Sequence, residues 1–169
     1  MQSVVANRLA ALKRPFRGDV LQMLQPWADQ YQQDSMRYKF LVLRGGSQTG
    51  KSTLAKSLGE HFNFGVPFVQ TVQNAESPDL RDFDQEKHGY VVFDNVNDQK
   101  FILDNRAMIQ ASNDIHNLGE SKTGMYAYPV WLYRVPIVVT IDMTATFDRT
   151  EPWIAENSVY VFLESPCYL

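Results

Sequence analysis

Five short runs of apolar residues recur along the chain: KFLVL at 39–43, PFVQTV at 67–72, YVVFDNV at 90–96, PIVVTID at 136–142 and VYVFLES at 159–165. Most are continuous rather than alternating, the pattern of strands covered on both faces in a parallel sheet. Between them the pattern shifts to helical spacing at 51–62 and about 100–118. Two more helical stretches precede the first run. Val4, Val5, Leu9, Ala10 and Leu12 mark one within 3–14, and DVLQMLQPWADQYQQ begins a second at Asp19, a residue type suited to an N-cap. The alternation predicts an α/β protein with a central, mostly parallel five-stranded sheet flanked by helices. A short helical lead-in over 1–36, packed on the core or serving oligomerisation, precedes the main domain over 37–169.

Composition narrows the picture without changing it. The 169 residues, 44% hydrophobic and 21% charged, suit one domain with a real core. No apolar run approaches the roughly 20 residues of a membrane span, and the N-terminus lacks a signal-peptide pattern, so no membrane partner and an intracellular location are expected. The single Cys167 has no internal disulfide partner. A formal charge of −3 argues against coating nucleic acid by bulk electrostatics, while leaving room for a local basic patch.

Candidate chemistry begins where the first strand meets the first main helix. Gly45, Gly50, Lys51 and Ser52 fit G-x-x-x-x-G-K-[ST], and the strand before and helix after supply the setting this phosphate-binding loop requires. The expected fold is therefore of the P-loop NTPase type. Backbone N–H groups along Gly45, Gly46, Ser47, Gln48, Thr49, Gly50, Lys51, Ser52 and Thr53 would turn toward the phosphates of ATP, helped by the helix N-terminus. Lys51, taken as an exposed loop cation, would neutralise the β and γ phosphates, and Ser52 would offer its hydroxyl to Mg²⁺. Such a loop needs an acid at the end of a neighbouring strand to hold the metal, directly or through water. YVVFDN delivers Asp94 there. Asn95 follows, where many such ATPases carry a second acid, and an amide orients water but cannot take its proton.

The order of these parts, followed by GESKTGMYAYPVWLYR and PIVVTID, resembles the superfamily-3 helicase domain of replication-associated (Rep) proteins from circular single-stranded DNA viruses and their relatives, over about 38–165. The resemblance implies a five-stranded parallel sheet, a homo-oligomeric ring such as a hexamer, a nucleotide site between subunits and ATP-driven movement along single-stranded DNA. It places Lys122 of SKTG at the position of a hairpin lysine, and Arg134 where the family often has arginine. Physically, KTGMYAY joins a cation, a glycine and two aromatics, which suits a loop that contacts a phosphate through Lys122 and stacks bases on Tyr126, and equally an ordinary surface hairpin.

Three departures from the family pattern fall on hydrolysis. Asn95 replaces the second acid; Asp142 ends its strand where asparagine is usual; and Glu156-Asn157 stands where a paired arginine often precedes the last strand. An anionic Asp142 would repel a γ-phosphate unless protonated or bridged by a metal. Arg149 is the nearby arginine left to act as a finger on a neighbouring subunit's phosphate. His61, His88 and His116 form no His-hydrophobic-His pair to bind a metal, so nicking and joining of DNA are not assigned to these residues. The sequence thus predicts a Mg-ATP-binding, helicase-like ATPase with slow turnover. A degenerate nucleotide-binding module that works through protein contacts is the alternative, and a small-molecule kinase is disfavoured because no arginine-rich lid segment is present.

Overall fold

The structure is a computed structural model that describes residues 15–72, 77–119 and 127–169. The five apolar runs form β1 (Phe40–Gly45), β2 (Val66–Thr71), β3 (His88–Asp94), β6 (Ile137–Asp142) and β7 (Ser158–Leu163). They join in one parallel sheet in the order β2-β3-β6-β1-β7. The three inner strands are almost wholly buried, with Leu41, Val42, Leu43, Val91, Val92, Phe93, Val138 and Val139 at 0% exposure. Cover on both faces is why these strands read as unbroken apolar runs. The edge strand β2 is only partly buried along its length, and Val66 at its start is exposed.

Helix α1 (Gly18–Asp29) turns Val20, Leu24, Trp27 and Ala28 into the same core, so the described part of the lead-in packs with the sheet. Its first turn contains Asp19, and the N-cap is Arg17 rather than the expected Asp19. The 3₁₀ turn Gln30–Gln32 continues it. The lead-in helix expected within 3–14 lies outside the described residues. Helix α2 (Lys51–Phe62) follows β1 and buries Leu54, Ala55, Leu58 and Gly59. A Cβ at Gly59 would stand 1.8 Å from the Gly65 carbonyl oxygen, so glycine is what lets the helix end press against the turn that leads into β2. Tyr90 locks the same contact: its hydroxyl donates to the Ala55 carbonyl at 2.8 Å and accepts from the Gly59 N–H at 3.2 Å. Burial pushes that hydroxyl up to about 12.

The helix expected over about 100–118 is overturned. Two single turns, α3 (Lys100–Leu103) and α4 (Arg106–Ile109), replace its first half, and the end becomes strand β4 (Ile115–Leu118). Asn105 lies between the turns at φ −128°, outside helical geometry, which breaks the run. Strand β4 pairs antiparallel with β5 (Tyr128–Trp131), Ile115 opposite Trp131 and Leu118 opposite Tyr128. A short helix α5 (Pro152–Asn157), capped by the Glu151 side chain at 2.8 Å from the Ile154 N–H, leads into β7. Among the described residues, no helix is long and apolar enough to cross a membrane.

Candidate phosphate and cation site

The carboxyl ends of β1, β3 and β6 meet at one edge of the sheet, and the loop between β1 and α2 closes over them. Parallel registers fix this convergence: Gly45, the first residue of the loop, pairs with Asp142, the last of β6. The loop folds on the Gly46 carbonyl, which accepts from the Thr49 N–H at 3.3 Å, the Thr49 hydroxyl at 2.9 Å and the Lys51 ammonium at 3.3 Å. Gly50 then takes the left-handed conformation, φ 83°, and starts α2 with no side-chain cap. The first N–H groups of α2 therefore have neither an intrahelical partner nor a cap, the arrangement from which a helix N-terminus receives an anion.

Gly50 is also needed for space. A Cβ there would lie 2.8 Å from the Tyr168 ring and 2.9 Å from Cys167 Sγ. The tail closes against the loop from outside: the Cys167 N–H donates to the Thr49 carbonyl at 2.9 Å, and Tyr168 stacks on Phe16 at 5.5 Å. Thr49 and Cys167 are both buried as a result. Gly46, by contrast, has open space beside it.

Asp94, at the end of β3, faces Ser52 in the first turn of α2. The Ser52 hydroxyl donates to Asp94 Oδ1 at 2.8 Å, and the Thr140 hydroxyl donates to the same oxygen at 2.5 Å. Lys56, one turn further along α2, brings its ammonium to 3.9 Å from Asp94 Oδ2. Asn95 sits in the left-handed region, φ 61°, and its backbone N–H donates to the Thr140 hydroxyl oxygen at 2.8 Å. Thr140 is completely buried and joins the two strand ends through one hydroxyl.

Lys51 corrects its expectation. It is 9% exposed rather than an exposed loop cation, because its side chain runs beneath the loop with Nζ 3.6 Å from Asp142 Oδ1. Asp142 is held in turn by Thr144, whose hydroxyl donates to Oδ2 at 2.7 Å and whose N–H donates at 3.1 Å. These Thr144 bonds, with Lys51 adding to them, hold the Asp142 carboxyl below the usual carboxylate range. The acid is thus ionised and paired rather than protonated.

Other expected positions separate from this cluster. Arg149 lies with its guanidinium 4.8 Å over the Tyr160 ring of β7, Tyr160 stacks on Phe147 at 5.9 Å, and Arg44 covers Phe147 at 5.5 Å. Arg44 also donates to the carbonyls of Met143, Ala145 and Phe147, which ties the loop after β6 to β1. Arg134 donates to the Tyr31 carbonyl at 2.7 Å and to Asp34 at 3.1 Å, anchoring the segment before β6 to the lead-in. Lys122 and Tyr126 lie outside the described residues, in the segment that joins β4 to β5. His61 packs edge-on to Phe16, and His88 Nδ1 accepts from the Asp84 N–H at 3.0 Å.

Sequence reasoning passed over Thr140, Thr144 and Lys56. Thr140 carried a signal, being a polar residue inside the apolar run PIVVTID and two positions before Asp142, hence on the same face of the strand. The donor set fits a hard cation carrying phosphates: a hydroxyl and a carboxylate 2.8 Å apart, with a buried ammonium beside them. Among the described residues no group of three or more His, Cys, Asp and Glu is placed to hold a metal ion, so phosphate and water oxygens would complete its coordination. A scan against protein-family models found no match, and neither did a search of curated proteins, which leaves the arrangement of Lys51, Ser52, Asp94 and Asp142 as the ground on which a function must be built.

Proposed function

We propose that this chain is a Mg-ATP-binding ATPase domain of the helicase-like kind, which seats its nucleotide on the loop from Gly45 to Thr53 and acts on single-stranded nucleic acid as part of a homo-oligomer. The observation that carries the reading is the convergence of Ser52 and Asp94, 2.8 Å apart, from the two segments that a loop of this sequence would use for its metal. Ser52 and Asp94 would hold Mg²⁺, Asp94 directly or through water. When bound, the metal supplies charge neutralisation at the phosphate oxygens. Lys51 adds its ammonium to the terminal phosphates, and the first turn of α2 adds N–H groups. Asn95 orients water through its amide without accepting a proton, so hydrolysis lacks a base at that position.

Support for the nucleic-acid part comes from the small sheet. Trp131 is 42% exposed on β5 and stacks on the partly buried Tyr133 at 6.0 Å. An exposed ring backed by a second one suits stacked bases, and Lys122, earlier in the sequence, would supply a phosphate contact. Support for a finger role of Arg149 is its exposure at the sheet edge, where a second copy can approach. The alternative, a nucleotide-binding module with little turnover, is favoured by the Lys51–Asp142 pair, which gives the essential ammonium an internal partner.

Calorimetry with Mg-ATP tests the core of the reading. The parent protein binds, and Lys51→Ala weakens binding about 10- to 100-fold, the worth of a charge-assisted contact. Equal affinity for both proteins sinks it. Phosphate release with and without a single-stranded oligonucleotide separates the motor from the silent module, since stimulation is expected of the motor alone.

A further inference from the structure

We infer that the site discriminates between phosphate chain lengths, taking a nucleoside diphosphate in preference to a triphosphate, and that Asp142 is the residue that sets the preference. The inference rests on the nucleotide reading above and adds a selectivity to it.

The two halves of the site place different demands on a phosphate chain. The loop backbone and the first turn of α2 serve the inner phosphates with N–H groups, whereas the third phosphate, beyond that cradle, has only the lysine side chain, which it shares with the second. Here that ammonium is engaged on two sides, by the Gly46 carbonyl at 3.3 Å and by Asp142 Oδ1 at 3.6 Å. A third phosphate must therefore compete with a carboxylate already in place, at the sheet edge where its own charge is greatest. Like charges a few ångströms apart in a partly buried site repel strongly, and Asp142 is only 28% exposed.

Asp142 cannot simply turn away. Its Oδ2 is fixed by both the hydroxyl and the backbone N–H of Thr144, so relieving the repulsion costs two hydrogen bonds as well as the ion pair. No second cation among the described residues relieves it. Arg44 is spread over three carbonyls, Arg149 lies on Tyr160, and Lys56 leans toward Asp94. A diphosphate on the backbone cradle shares Lys51 with Asp142 but brings no third phosphate to that carboxylate, and Ser52 and Asp94 would still hold its cation.

Calorimetry on the whole chain, comparing Mg-ADP with the Mg complex of a non-hydrolysable ATP analogue, tests this. The parent is expected to bind the diphosphate about tenfold or more tightly than the triphosphate. Asp142→Asn, which keeps an acceptor for Thr144, is expected to close that gap by tightening the triphosphate complex more than the diphosphate complex. Equal or tighter triphosphate binding by the parent overturns the selectivity without any variant being needed. A gap that persists in a folded Asp142→Asn protein, checked by thermal melting, overturns the assignment to Asp142. Absence of binding by either nucleotide overturns the nucleotide reading itself and this inference with it, whereas binding without preference leaves that reading standing and removes only the selectivity.

Discussion

Thr140 shows how much of the site rests on one hydroxyl. It donates to Asp94 and accepts from the Asn95 N–H, so it aims the acid and satisfies the strained turn after it. Thr140→Val keeps the shape but removes both bonds, leaving a part-buried N–H without that partner. The expected cost is about 1–3 kcal/mol in denaturant unfolding, with Mg-dependent nucleotide binding weakened as well. A change below a few tenths of a kcal/mol would show that Thr140 merely fills space. Under the proposed function, Asn95 and Asp142 give a second expectation. If Asn95 lacks a base and Asp142 repels the third phosphate, Asn95→Asp combined with Asp142→Asn raises the ATPase rate. Base assistance is typically worth about 10²- to 10⁴-fold where geometry permits, and aspartate tolerates the left-handed backbone at that position. Robust parental turnover that falls in the double variant would instead make Asn95 and Asp142 a working set. Lys51, Ser52, Asp94 and Asp142 were legible as candidates because motif and strand ends announce them. Their pairing was not, since a contact between 51 and 142 depends on how β1 and β6 lie side by side.

At the scale of elements, the five sheet strands and α2 follow from the apolar runs, while the stretch from 100 to 118 misleads. Its helical spacing is real, but Asn105 leaves helical geometry and the last residues pair across to β5 instead. Local pattern lost there to a partner some dozen residues away, which no periodicity within the segment reports. The close approach at Gly59 makes a clean test of tertiary against local preference. Alanine is favoured over glycine in a helix by about 1 kcal/mol, yet a Cβ here meets the Gly65 carbonyl. Gly59→Ala is therefore expected to destabilise by about 1–3 kcal/mol, measured by chemical denaturation. A stabilised variant would mean that the α2 end can move away from β2 freely.

Across the whole molecule, the residues on either side of the main sheet close on the loop together. Phe16 and Tyr168 stack, Leu169 donates its N–H to the Pro15 carbonyl at 3.0 Å, and Cys167 donates to Thr49. Tyr168→Ala is expected to lower stability by about 2 kcal/mol, a fall in Tm of about 4–8 °C for a chain of this size. It should also weaken nucleotide binding, because the ring backs Gly50. A melting loss with unchanged affinity would separate the tail from the loop. By itself the sequence determined the class of fold, the loop, the acid at the end of β3 with Asn95 after it, and Asp142 at the end of β6. Each is written in consecutive residues, where strand hydrophobicity and glycine freedom act locally. Only the tertiary structure decided that Lys51 is buried against Asp142, that Thr140 joins the two strand ends, and that the tail seals Gly50. Those contacts arise from strand order and register, which bring together positions about 45 to 120 residues apart through long-range packing that local propensity does not encode.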